Sequence, residues 1–216
     1  MQEYLINDIV PLEITENICQ AQDYFSQLTY SHIPVVEQQQ YIGCLPETDA
    51  HCFEGGKSIK EIRHILLHFF ATPDMHWLDI VGIFAKNETN ILPVVDKDKK
   101  YLGYFEITDF MHHFHNTPFL SEPGVVIEVQ KKLKDYSFSE VTQIVETNDV
   151  KFFGAFISEI IEDKVSITLK ISGGKLDSVL QTFRRYGYEI LGSSESDEYR
   201  EILKERSAYL SKYLDI

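Results

Sequence analysis

Eight histidines are the residues of this sequence whose type and spacing first suggest chemistry. His64 and His68 are four residues apart in a segment that we expect to be helical, a spacing at which two imidazoles can bind one metal ion. His112, His113 and His115 form a second group. Neither group is accompanied by an HExxH motif or a Cys/His framework. The sequence therefore favours surface or partly buried histidines over a metal site.

Motifs for nucleophilic or redox chemistry are not visible. Cys19, Cys44 and Cys52 form no CxxC pair, which fits reduced thiols in a reducing compartment better than a disulfide framework. No pairing of a nucleophile with a base stands out, and Gly173-Gly174 is typical of a strand–helix turn, in contrast to a phosphate-binding loop. The sequence predicts a protein that is not an enzyme.

The charge of the chain is negative and unevenly distributed. The formal net charge is −14, and residues 1–118 contain seven Lys and Arg against 17 Asp and Glu, with no Lys or Arg before Lys57. Because nucleic acids are bound through clustered cations, this distribution argues against a nucleic-acid partner. Glu3 stands where a signal peptide has basic residues, and Pro73 and Asp74 interrupt the most apolar stretch. We expect a cytoplasmic protein without a membrane partner.

An internal repeat organises the N-terminal half. Residues 32–49 and 91–109 share an apolar–Pro–Val–Val–acidic string, a polar turn, an apolar–Gly pair and an Asp six residues after that Gly. The prolines of the two copies are 59 residues apart and the glycines 60, so the extra residue falls in the polar turn, where insertions are tolerated. This register indicates a duplicated supersecondary unit.

Both copies predict the same elements: strand, helix, strand, strand, helix. The β-branched runs at residues 33–36 and 92–95 predict strands, each followed by a turn and a second strand that contains the glycine. A Thr-Asp pair then begins a helix, and an amphipathic helix precedes each strand pair. The apolar faces of these preceding helices are formed by Ile18, Ala21, Phe25 and Leu28 in the first copy and by Trp77, Ile80, Val81 and Phe84 in the second.

These residues, in this register, resemble tandem CBS domains. The resemblance covers about residues 5–115, with repeat one at about residues 5–54 and repeat two at about residues 62–117 of a CBS pair formed by residues 1–118. It implies a regulatory module that binds adenosine-containing ligands between its repeats, often dimerises and has no catalytic chemistry.

The resemblance also implies a set of ligand-binding residues. In nucleotide-binding CBS proteins a Thr or Ser stands three residues before the Asp; its hydroxyl meets phosphate or ribose, and the Asp holds the ribose hydroxyls. Asp49 and Asp109 match the Asp, whereas Pro46 and Glu106 occupy the hydroxyl positions. The candidate ligand-binding residues are Ser31, His32, Pro34, Asp49, Thr72, Asn90, Ile91, Pro93, Glu106 and Asp109.

The two departures from the motif bear on the charge of the ligand. Pro46 offers neither a side-chain hydroxyl nor a backbone N–H, and Glu106 would place an anion where a phosphate should lie. Repeat one contains no Lys or Arg that could bind a phosphate. A neutral or cationic adenosine derivative therefore fits better than ATP. In the alternative interpretation Asp49 and Asp109, or the preceding Thr48 and Thr108, only cap helices. The sequence also leaves an empty cleft open.

The C-terminal half predicts a βαββαβ order after a linker at residues 118–123. Strands are predicted at residues 124–129, 150–160, 165–171 and 188–191, and helices at residues 138–145 and 176–186. Ser137 or Ser139 is expected to cap the first of these helices. The apolar face of the second is formed by Leu176, Val179, Leu180 and Phe183.

After a CBS pair, this order resembles an ACT-type domain, and the whole chain is similar to CBS–ACT proteins of the acetoin-utilisation type. The implied fold class is α/β (α+β), with a CBS-domain pair and a ferredoxin-like βαββαβ ACT-type domain at residues 122–194. Residues 195–216 are expected to form an amphipathic helix. Its apolar stripe contains Tyr199, Leu203, Leu210 and Tyr213.

The loop after the first strand of this domain departs from the ACT pattern. ACT domains have Asp-x-x-Gly there, which lets the backbone approach an amino-acid ligand, whereas Phe138 replaces the glycine in this chain. We expect Phe138 to pack into the core, which leaves amino-acid binding without support.

Two functions from different classes stay open. The first is a non-enzymatic, ligand-sensing regulator that binds an adenosine-type ligand and acts as a homodimer. The second is a homo-oligomeric interaction or assembly protein whose ligand sites have degenerated. Asp49 and Asp109 favour the first function, whereas Pro46, Glu106 and the missing ACT glycine favour the second.

Overall fold

The computed structural model describes residues 2–193, which form two compact units that divide between Phe114 and His115. Helices and strands both contribute to the fold, which is mixed α/β as predicted. The helix predicted in residues 195–216 lies outside the described residues. No helix of residues 2–193 is both long and apolar enough to cross a membrane.

The first unit contains the order helix, strand, strand, helix twice. The strand predicted to precede each copy is a two-residue strand in the first copy, and in the second it is a single bridge at Ala71. The first copy consists of β1 (Leu12–Glu13), α1 (Ile18–Gln27), β2 (His32–Glu37), β3 (Gln40–Pro46) and α2 (Glu47–Ala50). The second consists of α3 (Trp77–Lys86), β4 (Ile91–Val95), β5 (Tyr101–Glu106) and α4 (Ile107–His115). Short 3-10 helices at Gln2–Tyr4 and Ile59–Ile65 precede the two copies.

The strand pairing confirms that the two copies fold alike. Leu12 pairs in parallel with Val35, and Ala71 pairs in parallel with Val94. Each residue of the second pair follows its equivalent in the first pair by 59 positions. The antiparallel hairpins β2–β3 and β4–β5 each have a bulge directly after these valines. The duplication predicted from the sequence therefore extends to the register of the backbone.

The chain ahead of each copy crosses to the hairpin of the other copy. Ile6 forms a bridge with β5, and Leu67 forms a bridge with β3. Gly103 and Gly43 stand beside these crossings, with φ angles of 147° and 151°. A Cβ atom at Gly103 would lie 2.3 Å from the carbonyl oxygen of Ile6. The glycine of the repeated motif is thus required by the close approach of a second segment.

The helices of the first unit follow the predicted apolar faces. The buried residues are Ile18, Ala21 and Phe25 in α1 and Ile80 and Phe84 in α3. The prediction that His64 and His68 share a helix is wrong. The 3-10 helix ends at Ile65, because the residues after it extend to pair with β3.

The second unit has the predicted βαββαβ order. Its elements are α5 (Pro118–Ser121), β6 (Val125–Lys132), α6 (Phe138–Glu146), β7 (Phe152–Ile161), β8 (Lys164–Ile171), α7 (Leu176–Arg185) and β9 (Glu189–Ser193). The antiparallel sheet has the order β7-β8-β6-β9, the arrangement of a ferredoxin-like fold. Val141 and Ile144 of α6 and Val179 and Phe183 of α7 pack against the sheet.

The segment expected to be a linker is ordered. Residues 118–121 form α5, whose Phe119 ring lies 5.8 Å from the ring of Phe156 in β7. Lys170 of β8 is buried and donates to the carbonyl oxygen of Leu120 at 3.2 Å. An aromatic contact and a buried cation hold this segment on the sheet, so the linker prediction is wrong.

The start of α6 differs from the prediction in one respect. Ser137 caps the helix and accepts the backbone N–H of Glu140 at 3.5 Å, which decides between the two candidate caps. Phe138 is 40% exposed and does not enter the core. Tyr136, two residues earlier, packs against the core instead.

Candidate functional site

Two equivalent residues of the repeat hydrogen-bond to each other at the beginnings of β2 and β4. Ser31 and Asn90 precede these strands and are 59 residues apart. The Ser31 N–H donates to the side-chain oxygen of Asn90 at 2.9 Å, and the Asn90 N–H donates to the Ser31 hydroxyl oxygen at 3.2 Å. Because equivalent groups contact each other only at a symmetry axis, this pair marks the local twofold axis of the repeat.

Asp49 and Asp109 are the third residues of α2 and α4. Pro46 and Glu106 precede the two helices, so neither aspartate is at an N-cap position. The interpretation that these aspartates only cap the helices is therefore wrong, and so is capping by Thr48 and Thr108, the second residues of the two helices. Both carboxylates are half-buried beside the strands that begin at the axis.

His32, Pro46, Asp49 and Phe69 form what we call the first half-site. His32 is 6% exposed, pairs with Pro46 and lies edge-on to the ring of Phe69 at 5.3 Å. Burial lowers the pKa of His32, and the charge of Asp49 opposes this shift. The Nδ1 atom of His32 lies 2.9 Å from the Ser31 hydroxyl oxygen. Within residues 2–193, no side-chain hydrogen bond engages the carboxylate of Asp49.

Asp8, Tyr30, Tyr104, Glu106 and Asp109 form what we call the second half-site. The Tyr30 hydroxyl donates to Glu106 Oε1 at 2.5 Å. The Tyr104 hydroxyl donates to Asp8 Oδ1 at 2.6 Å and lies 3.2 Å from the Tyr30 hydroxyl oxygen. Burial raises the pKa of Tyr30 and of Tyr104, which keeps both phenols protonated as donors. Two phenols therefore bridge carboxylates from distant parts of the chain.

The second half-site has a surplus of negative charge. Burial, and next the charge of Glu106, raise the pKa of Asp109, whereas His112 acts in the opposite direction. No ion pair within residues 2–193 joins a Lys or Arg to Asp49, Glu106 or Asp109. A hydrogen-bond donor or a cation would be stabilised here, whereas a phosphate would be repelled.

The other predicted residues occupy structural or distant positions. Pro34 and Pro93 are buried within β2 and β4, and Ile91 is buried opposite Glu106. Thr72 belongs to neither half-site, because it lies beside the turn that follows β4, whereas both half-sites are at the beginnings of the strands. The five residues of β4 separate these two places by about 16 Å.

The structure adds Asp8, Tyr30, Phe69 and Tyr104 to the predicted set. Tyr104 directly follows the glycine of the motif, and Tyr30 directly precedes Ser31, so both stood next to recognised positions. Asp8 and Phe69 come from the crossing segments. Asp8 reaches Tyr104 across 96 residues of sequence, a contact that no local pattern predicts.

The histidine groups do not assemble around a metal position. Within residues 2–193, no group of three or more His, Cys, Asp or Glu side chains could hold a metal ion. The Nδ1 atom of His113 instead lies 3.1 Å from the Tyr4 hydroxyl oxygen, and the centroids of the His113 and Trp77 rings are 5.2 Å apart.

The comparison with known families supports the predicted resemblance for one copy. The model of the CBS domain family matches residues 59–116, a range that contains α3, β4, β5 and α4. No curated protein sequence matches the chain.

Solved structures similar to this chain include proteins with CBS domain pairs. The CBS domains of a transcriptional regulator from Streptococcus pneumoniae are 19% identical with a TM-score of 0.43, covering 51% of this chain and 89% of that one. A CBS domain pair/ACT domain protein from Thermotoga maritima is 17% identical with a TM-score of 0.48, covering 52% and 93%. CBSX2 in complex with AMP is 12% identical with a TM-score of 0.44, covering 52% and 93%. At these values the likeness carries no conclusion about a ligand.

Proposed function

We propose that this protein is a non-enzymatic, ligand-sensing regulator whose first unit binds a small adenosine-type compound without a polyphosphate. One observation carries the proposal: Asp49 and Asp109 lie at equivalent helix starts around the Ser31–Asn90 pair, and no described ion pair neutralises them. Such carboxylates suit the hydroxyls of a ribose or an amine as donors. The match of residues 59–116 to CBS domains supports a regulatory role over a catalytic one.

The first half-site is the better candidate for the bound ligand. Within residues 2–193, no side-chain hydrogen bond engages the carboxylate of Asp49, which leaves it available to a ligand. The rings of His32 and Phe69 are each 6% exposed and pack edge-on against each other. Neutral His32 adds no positive charge that could bind a phosphate. Adenosine or a cationic derivative such as S-adenosylmethionine should therefore bind more tightly than AMP, and AMP more tightly than ATP.

The order of affinities is the test of this function. Thermal-shift measurements and calorimetry with adenosine, S-adenosylmethionine, AMP and ATP should give binding that weakens as negative charge increases, since a ligand that binds only the folded state raises the melting temperature. Asp49→Asn should weaken the binding of adenosine about tenfold, an effect of the size expected for one charged hydrogen bond. Glu54→Gln, at an exposed acid outside both half-sites, is the matched control. No shift with any of the four compounds would refute the proposal.

An assembly protein with degenerate ligand sites is the second candidate. Pro46 provides no hydrogen-bonding side chain, and Glu106 is already engaged by Tyr30. In this function the chain forms a homodimer but responds to none of the four compounds. The same thermal-shift series, combined with a mass measurement, separates the two candidates.

The second unit extends the regulatory proposal. Its βαββαβ order and its neighbourhood to a CBS-type pair support an ACT-like role, in the manner of CBS–ACT proteins of the acetoin-utilisation type. Fold alone does not determine a ligand, so a panel of amino acids belongs in the same thermal-shift series. We expect this unit to respond to none of them, since the exposed Phe138 stands where a ligand-contacting glycine would lie.

A further inference from the structure

The contact between Tyr30 and Glu106 has no counterpart in the other half of the repeat. The residues equivalent to Tyr30 and Glu106 are Thr89 and Pro46, at distances of 59 and 60 residues. The Thr89 hydroxyl donates to the carbonyl oxygen of Ile91 at 2.6 Å, and Pro46 has no acceptor in its side chain. The symmetry-related contact between Thr89 and Pro46 is thus absent, and the first half-site forms without such a bond.

The Tyr30 side chain is fixed beside Glu106 by a hydrogen bond and a ring contact. A hydroxyl bonded to a carboxylate at 2.5 Å is a charge-assisted hydrogen bond, the stronger class of such bonds. The Tyr30 ring also packs edge-on against Tyr104, with centroids 5.7 Å apart. The Thr108 hydroxyl donates to the second oxygen of Glu106 at 3.3 Å. Both oxygens of Glu106 are therefore occupied by donors from the protein.

We propose that Tyr30 is a specificity-determining residue that closes the second half-site: a ligand enters it only by replacing the Tyr30 hydroxyl with a donor of its own. This inference rests on the proposed function and adds which chemical groups of a ligand the second half-site accepts. A ligand with an ammonium group or a hydroxyl near Glu106 can take the place of the phenol. A phosphate ester cannot, because it offers acceptors to a carboxylate.

Removing one hydroxyl tests this closure. Tyr30→Phe keeps the ring contact with Tyr104 and abolishes the bond to Glu106. Three probes differ only at the 5′ position: adenosine, 5′-amino-5′-deoxyadenosine and AMP. We expect the variant to bind the amino compound about tenfold more tightly than the wild type does, since the ligand no longer competes with an internal donor. The affinity for AMP should stay low.

Tyr24→Phe, at a half-buried tyrosine of α1, is the matched control and should bind the three probes as the wild type does.

The possible results separate the closure from the proposed function. If the wild type binds adenosine and Tyr30→Phe binds all three probes with unchanged affinity, the closure is overturned and the function stands. If neither protein binds any probe, the function is refuted. Hydrogen exchange then tests whether the Tyr30–Glu106 bond, on which the closure depends, stabilises the second half-site. The amide of Ile107, which donates to the Asn90 carbonyl at 3.2 Å, should then exchange faster in Tyr30→Phe than in Tyr24→Phe. Equal exchange would overturn the closure.

Discussion

Glu106 stands where a nucleotide-binding CBS motif has a hydroxyl residue, and its surroundings explain how the chain accommodates it. The Tyr30 hydroxyl donates to one carboxylate oxygen and the Thr108 hydroxyl to the other. Among residues 2–193, no hydroxyl donates to Asp109, whose pKa is raised by burial and by the charge of Glu106. At the scale of single residues, the second half-site is thus built to hold negative charge.

Replacing Glu106 tests whether this charge controls phosphate binding. Glu106→Thr restores the hydroxyl of the motif and removes one negative charge, so AMP should bind about tenfold more tightly, or about 1.4 kcal/mol. Calorimetry on the wild type and the variant measures the change. Glu54→Thr removes an exposed acid of the same unit and controls for net charge. Tight binding of ATP by the wild type, or equal affinities of wild type and Glu106→Thr, would show that Glu106 points away from the phosphate.

At the scale of elements, the crossing segments hold the two copies together. The segment before each copy pairs with the hairpin of the other, through Ile6 and Leu67. The segments also deliver Asp8 and Phe69 to the half-sites. The glycines of the repeated motif are needed where these segments approach. Stability and site geometry therefore depend on the same backbone contacts.

A methyl group at Gly103 should break one of these crossings. The new Cβ atom would lie 2.3 Å from a backbone oxygen of Ile6, at a φ of 147° that suits only glycine. We expect Gly103→Ala to lower the free energy of unfolding by about 3 kcal/mol. Chemical denaturation measures the loss.

The chain contains a matched control for this substitution. A Cβ atom at Gly82, within α3, meets nothing within 4 Å. Gly82→Ala should therefore stabilise the protein by about 0.5–1 kcal/mol, because alanine is the better helix former. Similar effects of the two alanines would show that the crossing contributes little.

At the scale of the whole molecule, apolar surface is left exposed on the first unit. Leu78 of α3 is 57% exposed and Met111 of α4 is 43% exposed, and the two helices touch where Trp77 meets Phe114 at 5.7 Å. Exposed apolar side chains on two helices in contact are typical of interaction surfaces. The equivalent residues of the first copy, Cys19 and His51, are smaller or polar.

We therefore expect a homodimer, as closed twofold assemblies are the commonest. Light scattering should give twice the chain mass of 25.1 kDa at tens of micromolar protein. Leu78→Glu combined with Met111→Glu should shift the protein to the monomer, because charge is costly in a buried interface. The pair Cys19→Glu and His51→Glu, at equivalent positions, should leave the dimer intact. A monomeric wild type would contradict the prediction.

The sequence by itself determined the duplicated hairpins and the βαββαβ order of the second unit. Both follow from local periodicity and turn residues, and each hairpin closes within about 20 residues. The repeat spacing also predicts which positions of the two copies are equivalent, and Ser31 and Asn90, 59 residues apart, contact each other in the structure. Local patterns were sufficient wherever the partners are close in sequence.

The tertiary structure alone decided which residues meet in the half-sites. Tyr30 and Glu106 are 76 residues apart, and Asp8 and Tyr104 are 96 apart. Such contacts depend on the path of the crossing segments, and that path leaves no periodic signal in the sequence. The same reason explains why the sequence predicts a linker at residues 118–123, where the structure has α5. Long-range packing, through Lys170 and Phe119, fixes this segment, whose position local propensity leaves undetermined.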